Sequence, residues 1–157
     1  LRRQRQMCIR DRLSDEYIFI VKYHYLVSDK IDWTPYKGFV YTFDETKDIA
    51  WLYLVSDMLI TDYSSVMFDY SILNRPMLFF AYDLEDYKEN LRGFYFDFVN
   101  DIPGPISRDT DQLIKDIKEY NEDSWKEKYK NYHDKFNGID DGHASQKVID
   151  VIKKVSR

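Results

Sequence analysis

Cysteine is nearly missing from this 157-residue chain: Cys8 stands alone, which excludes a disulfide framework and a cysteine-based zinc site. Histidine is almost as scarce, with only His24, His133 and His143, and the many aspartates are scattered, so no metal cluster and no metal cofactor are expected. With five Gly and four Pro the chain has no low-complexity tract, and no apolar run approaches the roughly 20 residues of a membrane-crossing helix. Excess positive charge is lacking too: 23 Lys and Arg face 28 Asp and Glu, a net charge of −5. That balance argues against a general nucleic-acid binder, whose affinity rests on neutralising many backbone phosphates. Any phosphate would have to be held locally. What the chain does have is apolar and aromatic content, 44% and 17%, enough to build the core of one ordinary domain.

The first twelve residues differ in kind from the rest. Leu1 to Arg12 carry five Arg against one Asp and contain no initiator Met. Without them, 18 of the 23 basic and 27 of the 28 acidic residues remain, a balance of about −9. The segment reads either as a basic arm or as foreign sequence resembling a translated adaptor junction. Residues 1–12 are therefore set aside as non-native or disordered, and 13–157 are taken as the domain.

From Asp15 the pattern alternates. Tyr17 to Val21 is a β-branched and aromatic strand that delivers Lys22 and His24 at its carboxyl end. Gly38 to Thr42 reads as a second strand and Asp44 to Ser56 as a helix capped by Asp44 or Thr46, with Ile49, Leu52 and Tyr53 on one face. Strand Met58 to Ile60, helix Ser65 to Leu73 and strand Met77 to Ala81 follow, the alternation of parallel βαβ units. Asp83 to Leu91 is a short charged helix or loop, Arg92 to Phe98 an extended aromatic segment, and Pro103-Gly104-Pro105 a turn. Asp109 to Tyr120, Ser124 to Tyr132 and Ala144 to Val155 read as amphipathic helices. The fold class is α/β, with a parallel sheet flanked by helices.

The most informative stretch is Leu59-Ile60-Thr61-Asp62-Tyr63-Ser64-Ser65-Val66-Met67-Phe68-Asp69-Tyr70, an apolar strand that breaks into hydroxyls and re-forms as a helix. The first-turn N–H groups and the hydroxyls of Ser64 and Ser65 suit an anion above the strand. The spacing alone favours an ordinary serine cap, because the turn lacks the glycines of a Walker or dinucleotide fingerprint. Asp69, one turn after Ser65, is either a hydroxyl acceptor for a ligand or a buried partner of a Lys or Arg. Lys22 and His24 flank Tyr23 on an extended chain and so share a face, offering a cation and a titratable imidazole to one ligand. Arg92 is a further anion-binding candidate, with a surface salt bridge as its alternative.

Taken together, Met58 to Tyr70, Arg75-Pro76, Tyr82-Asp83, Arg92-Gly93-Phe94-Tyr95 and Pro103-Gly104-Pro105 resemble the C-terminal domain of the CDP-glycerol glycerophosphotransferases that polymerise wall teichoic acid. Lys22-Tyr23-His24-Tyr25-Leu26-Val27 is similar to that family's basic-X-His segment. The resemblance implies a Rossmann-like C-terminal domain of a GT-B-type transferase, CDP-glycerol as donor, a lipid-linked teichoic acid acceptor and peripheral attachment at the cytoplasmic face of the membrane. By matched position it places Lys22, Tyr23, Ser64, Ser65 and Asp69 at the donor and makes His24 one of two important histidines. Lys22 departs from the family's more usual Arg, which keeps the charge and loses the bidentate fork. The family's His-Gly-X-Pro-X-Lys motif, which belongs to the N-terminal domain, does not occur in these 157 residues, so the expectation is a donor-binding half. Two other readings stay open: a GT-B transferase using CDP-ribitol or a nucleotide sugar, and a non-enzymatic Rossmann-like interaction domain.

Overall fold

A computed structural model describes residues 9–23, 31–44, 46–87 and 94–156. Five short strands form two parallel ladders. In the first, β1 (Phe19–Val21) pairs with β2 (Val40–Thr42), with Val21 opposite Thr42. In the second, β3 (Leu59–Thr61), β4 (Met77–Phe80) and β5 (Ile106–Ser107) lie in that order. Helix α1 (Ile49–Val55) crosses from β2 to β3, and α2 (Val66–Ser71) from β3 to β4. The short helices α3 (Leu84–Asp86) and α4 (Phe98–Asp101) precede β5, and α5 (Thr110–Lys118), α6 (Glu122–Phe136) and α7 (Ala144–Val155) complete the chain.

The central strand explains the two-layer core. β4 reads Met-Leu-Phe-Phe, and alternate side chains of a strand point to opposite faces. Met77 and Phe79 enter a cluster with Tyr70 and Met67 of α2, Phe98 of α4, and Tyr129 and Tyr132 of α6. Leu78 and the partly buried Phe80 join the other cluster, with Phe39, Leu113, Ile114 and Ile117. Phe19, Val40 and Ile60 pack there too, so both ladders share this cluster. A parallel strand buried on both faces carries a continuous apolar run, and the sequence shows one.

α2 and α6 are locked by polar groups inside the apolar cluster. The Asn137 carboxamide, 4% exposed, donates to Phe68 O at 2.9 Å, and the Ser71 hydroxyl lies 2.7 Å from Phe68 O and 3.0 Å from Asn137 Oδ1. Truncating Asn137 leaves the buried groups short of partners. Asn137→Ala is expected to lower unfolding free energy by about 2–3 kcal/mol in urea titrations, and an unchanged midpoint would count against the lock.

Several sequence expectations need correction. Strand β1 begins at Phe19, not Tyr17, and Ile18 is 63% exposed. β2 begins at Val40, because Gly38 adopts φ +90 in the turn before it. Helix α1 starts at Ile49, not Asp44, and its cap is Asp48, whose carboxylate accepts from Ala50 N at 2.9 Å. Asp44 instead accepts from Thr46 N and Oγ1. In the charged stretch α3 spans Leu84–Asp86 with a π turn at Tyr87, and 88–91 lie outside the described residues. Phe98, expected in an extended segment, opens α4 because Asp97 caps it at Asn100 N. β5 was not expected at all; two residues are too few to show a pattern. α6 is longer than Ser124 to Tyr132, since Asn121 caps it early and Phe136 packs on Phe68 and Phe96.

Of the segment set aside as non-native or disordered, residues 9–12 are helical here. Arg10 donates to Pro35 O at 3.0 Å, and Arg12 pairs with Asp111 at 2.6 Å. Residues 1–8 lie outside the described residues. α7 matches its expected bounds but has no buried residue, leaving Val148, Val151, Ile152 and Val155 exposed.

Candidate functional site

In open α/β sheets ligands lie outside the carboxyl ends of the strands, and several of the expected side chains gather at such ends. β3 runs out at Thr61. Asp62 then accepts from Ser64 N at 3.0 Å, an Asx turn that reverses the chain into α2. The spacing favours a serine cap, and the structure shows none: Ser65 occupies the cap position with no side-chain cap bond. Asp62 orders the turn in its place. Met67 N and Phe68 N are taken by Ser64 O and Ser65 O, whereas Ser65 N and Val66 N meet no acceptor among the described residues. The Ser64 and Ser65 hydroxyls also bond no described residue, so this one turn presents two N–H groups and two hydroxyls. Such a donor set matches a diphosphate's oxygens.

The same turn is braced from the side. The Tyr63 hydroxyl donates to Asp83 Oδ1 at 2.8 Å, tying the end of β3 to the loop after β4. Its ring stacks on Tyr87, with centroids 4.1 Å apart, and packs at 5.5 Å on both Phe94 and Phe98. Burial, then the bond to Asp83, pushes the Tyr63 phenol above its ordinary range, so it stays a donor. Sequence reasoning missed this brace. Its only trace there was Tyr82-Asp83 among the family motifs.

Asp69 lies one turn beyond Ser65 on the exposed side of α2. The alternative of a buried pair with Lys or Arg is not what the structure shows. Its carboxylate makes no hydrogen bond or ion pair with a described residue. It sits close enough to Tyr53 to help raise that phenol to about 12, second to burial and ahead of Asp48.

Lys22 follows β1 directly, and its ammonium stands 5.6 Å from the centroid of the Phe43 ring. Phe43 follows β2, so the pair sits at the carboxyl ends of adjacent parallel strands. Asp44 next to it is held below the usual carboxylate range by the bonds from the Thr46 backbone and hydroxyl and by the Lys22 charge. Tyr23 is the residue after Lys22. Its phenolic oxygen accepts from Trp33 Nε1 at 2.6 Å and Ile31 N at 3.1 Å, which commits the ring to holding the segment before residues 34–36. His24 and Arg92 lie outside the described residues.

No group of three or more potential metal ligands occurs among the described residues. A hollow of about 130 Å³ lies elsewhere, between α4 and α6, lined by Asn100, Asp101, Lys128, Asn131, Tyr132 and Lys135. It shares no residue with the strand ends.

Comparison with known proteins agrees with this placement of the fold. Residues 5–154 match the family described as CDP-glycerol:poly(glycerophosphate) glycerophosphotransferase. A teichoic acid poly(glycerol phosphate) polymerase of Bacillus subtilis strain 168 is 45% identical over 148 residues, covering 93% of this chain and 20% of the relative. A teichoic acid poly(ribitol-phosphate) polymerase of Bacillus spizizenii strain W23 is 43% identical over 152 residues, covering 89% and 22%. Among solved structures, the wall teichoic acid polymerase TagF superposes with a TM-score of 0.82 at 41% identity, covering 94% of this chain and 36% of that one. The chain thus spans about a fifth of the length of these two relatives.

Proposed function

This chain belongs to the CDP-glycerol:poly(glycerophosphate) glycerophosphotransferase family, and from that premise we propose that it is the donor-binding part of a transferase that moves glycerol phosphate from CDP-glycerol to a lipid-linked polyol-phosphate acceptor in teichoic acid synthesis. The observation that carries the reading is the β3–α2 turn, where two N–H groups and the hydroxyls of Ser64 and Ser65 stand without partners among the described residues. In this reading the domain is the C-terminal half of a GT-B cleft. The whole protein works peripherally at the cytoplasmic face of the membrane, where a lipid-linked acceptor would lie.

The chemistry is an in-line displacement. An acceptor hydroxyl oxygen attacks the β-phosphorus of the donor, the bond from that phosphorus to the bridging oxygen breaks, and CMP leaves with the electron pair. Charge spreads over the phosphoryl oxygens as this happens. The turn donors are fixed before reaction and so stabilise that charge without reorganising, while Lys22 supplies a strand-end cation. His24, two residues beyond Lys22, is assigned to take the acceptor's proton or to hold the donor. Asp69 is assigned to accept from hydroxyls of the donor.

Calorimetry tests the assignment. The 157-residue chain is expected to bind CDP-glycerol weakly and to turn over nothing, and the double variant Ser64→Ala/Ser65→Ala to bind at least about tenfold more weakly. Equal binding by both proteins would remove the phosphate assignment. The 43% identity to a ribitol-phosphate polymerase keeps CDP-ribitol as the second reading. Measuring CMP release from each donor by a complete protein carrying this domain separates the two.

A further inference from the structure

We infer that Phe43 is the platform on which the donor's nucleobase stacks, an inference that rests on the nucleotide-donor reading above and adds to it the subsite for the base. A half-buried phenylalanine normally completes a core. Phe43 does not: it belongs to neither hydrophobic cluster and makes no ring contact with any described aromatic residue, in a chain where Phe68, Phe94 and Phe98 each touch several. What it touches is a cation, with Lys22 Nζ 5.6 Å from its centroid.

Its position is fixed rather than incidental. Phe43 N donates to Val21 O at 2.9 Å, extending the β1–β2 ladder one step past Thr42, so the ring stands at the carboxyl edge where ligands of parallel sheets bind. The next residue is anchored as well, because Asp44 accepts from both Thr46 N and Oγ1. With an ammonium over one face of the ring, a second planar partner would stack on the other. A nucleobase is such a partner, since base–aromatic stacking needs only a π-face. Lys22 then lies beside the base platform as a strand-end cation for the phosphates, which gives one side chain two jobs at the donor. The ladders of β1–β2 and β3–β4–β5 share a core cluster, which places the platform and the phosphate turn on one packed body.

Isothermal titration of the full 157-residue chain with CMP, CDP-glycerol and inorganic diphosphate tests this. Phe43→Ala and Phe43→Leu are expected to weaken CMP and CDP-glycerol about tenfold and to leave diphosphate binding unchanged, whereas Phe43→Tyr retains wild-type affinity for all three. Phe43→Leu keeps an apolar side chain of similar bulk and removes only the π-face, so it answers the question if Phe43→Ala unfolds. Wild-type CMP affinity in a folded Phe43→Leu protein would overturn the inference and leave the phosphate turn standing. A wild-type chain that binds none of the three probes would overturn the donor reading and the base platform together.

Discussion

Gly104→Ala is expected to cost at least about 3 kcal/mol of stability, because it has the closest Cβ clash among the described glycines. A Cβ built on Gly104 would lie 1.8 Å from Met77 O and 2.9 Å from Met77 C. Both are main-chain atoms of β4, so no side-chain rotation relieves the clash. The backbones can separate only by straining the β4–β5 ladder, where Phe79 N donates to Pro105 O at 2.9 Å and Ala81 N to Ser107 O at 3.0 Å. That ladder also lays β5 against the aromatic cluster at Phe79 and brings Ser107 within 2.6 Å of Asp116 on α5. A domain of ordinary stability has about 5–15 kcal/mol in total, so the variant should be partly unfolded or melt far below wild type. Thermal and urea unfolding followed by circular dichroism would show it. Coincident wild-type and variant curves would mean that β5 does not approach β4 this closely.

The second large effect is expected at Arg75, which lies in the loop before β4 and acts on α1. Its Nη1 lies 3.2 Å from Tyr53 O, 3.0 Å from Leu54 O and 2.8 Å from Ser56 O, the carbonyls that α1 leaves unpaired at its carboxyl end. A guanidinium there meets both the free acceptors and the negative end of the helix dipole. Arg75→Ala should lower stability by about 2–4 kcal/mol, and Arg75→Lys should recover part of that, since the charge remains while the fork is lost. Two phenols would remain as partial support, with Tyr70 donating to Ser56 O and Tyr129 to Arg75 O. Comparing urea midpoints of the three proteins decides it. Equal losses for Ala and Lys would assign the effect to geometry, and no loss for Ala would remove Arg75 as the cap.

Local signals were legible in the sequence where the cause is local. The bounds of α7 follow from side-chain periodicity, and α5 starts within one residue of the expected Asp109. β1 to β4 were legible as apolar runs between helices. The hydroxyl-rich turn was legible as a candidate anion site. What escaped has long-range causes. Arg75 reaches back about twenty residues to α1, Tyr63 finds Asp83 across the strand ends, and Tyr23 spends its phenolic oxygen on Trp33. β5 exists because Gly104 lets a two-residue strand approach β4, and a two-residue strand has no period to read.

The burial of β4 on both faces bears on how such a domain can change over time. Met77 and Phe79 are read by one layer, Leu78 and Phe80 by the other, and β3 and β5 occupy both edges. Met77, Leu78 and Phe79, each fully buried, have no free direction in which a larger or smaller side chain can be absorbed. Drift here therefore proceeds by compensated pairs, one member in β4 and the other in α2, α4, α5 or α6. By contrast the Ser64–Ser65 turn, whose hydroxyls no described residue engages, can be altered without disturbing the packing. The scaffold and this turn can therefore vary on separate schedules.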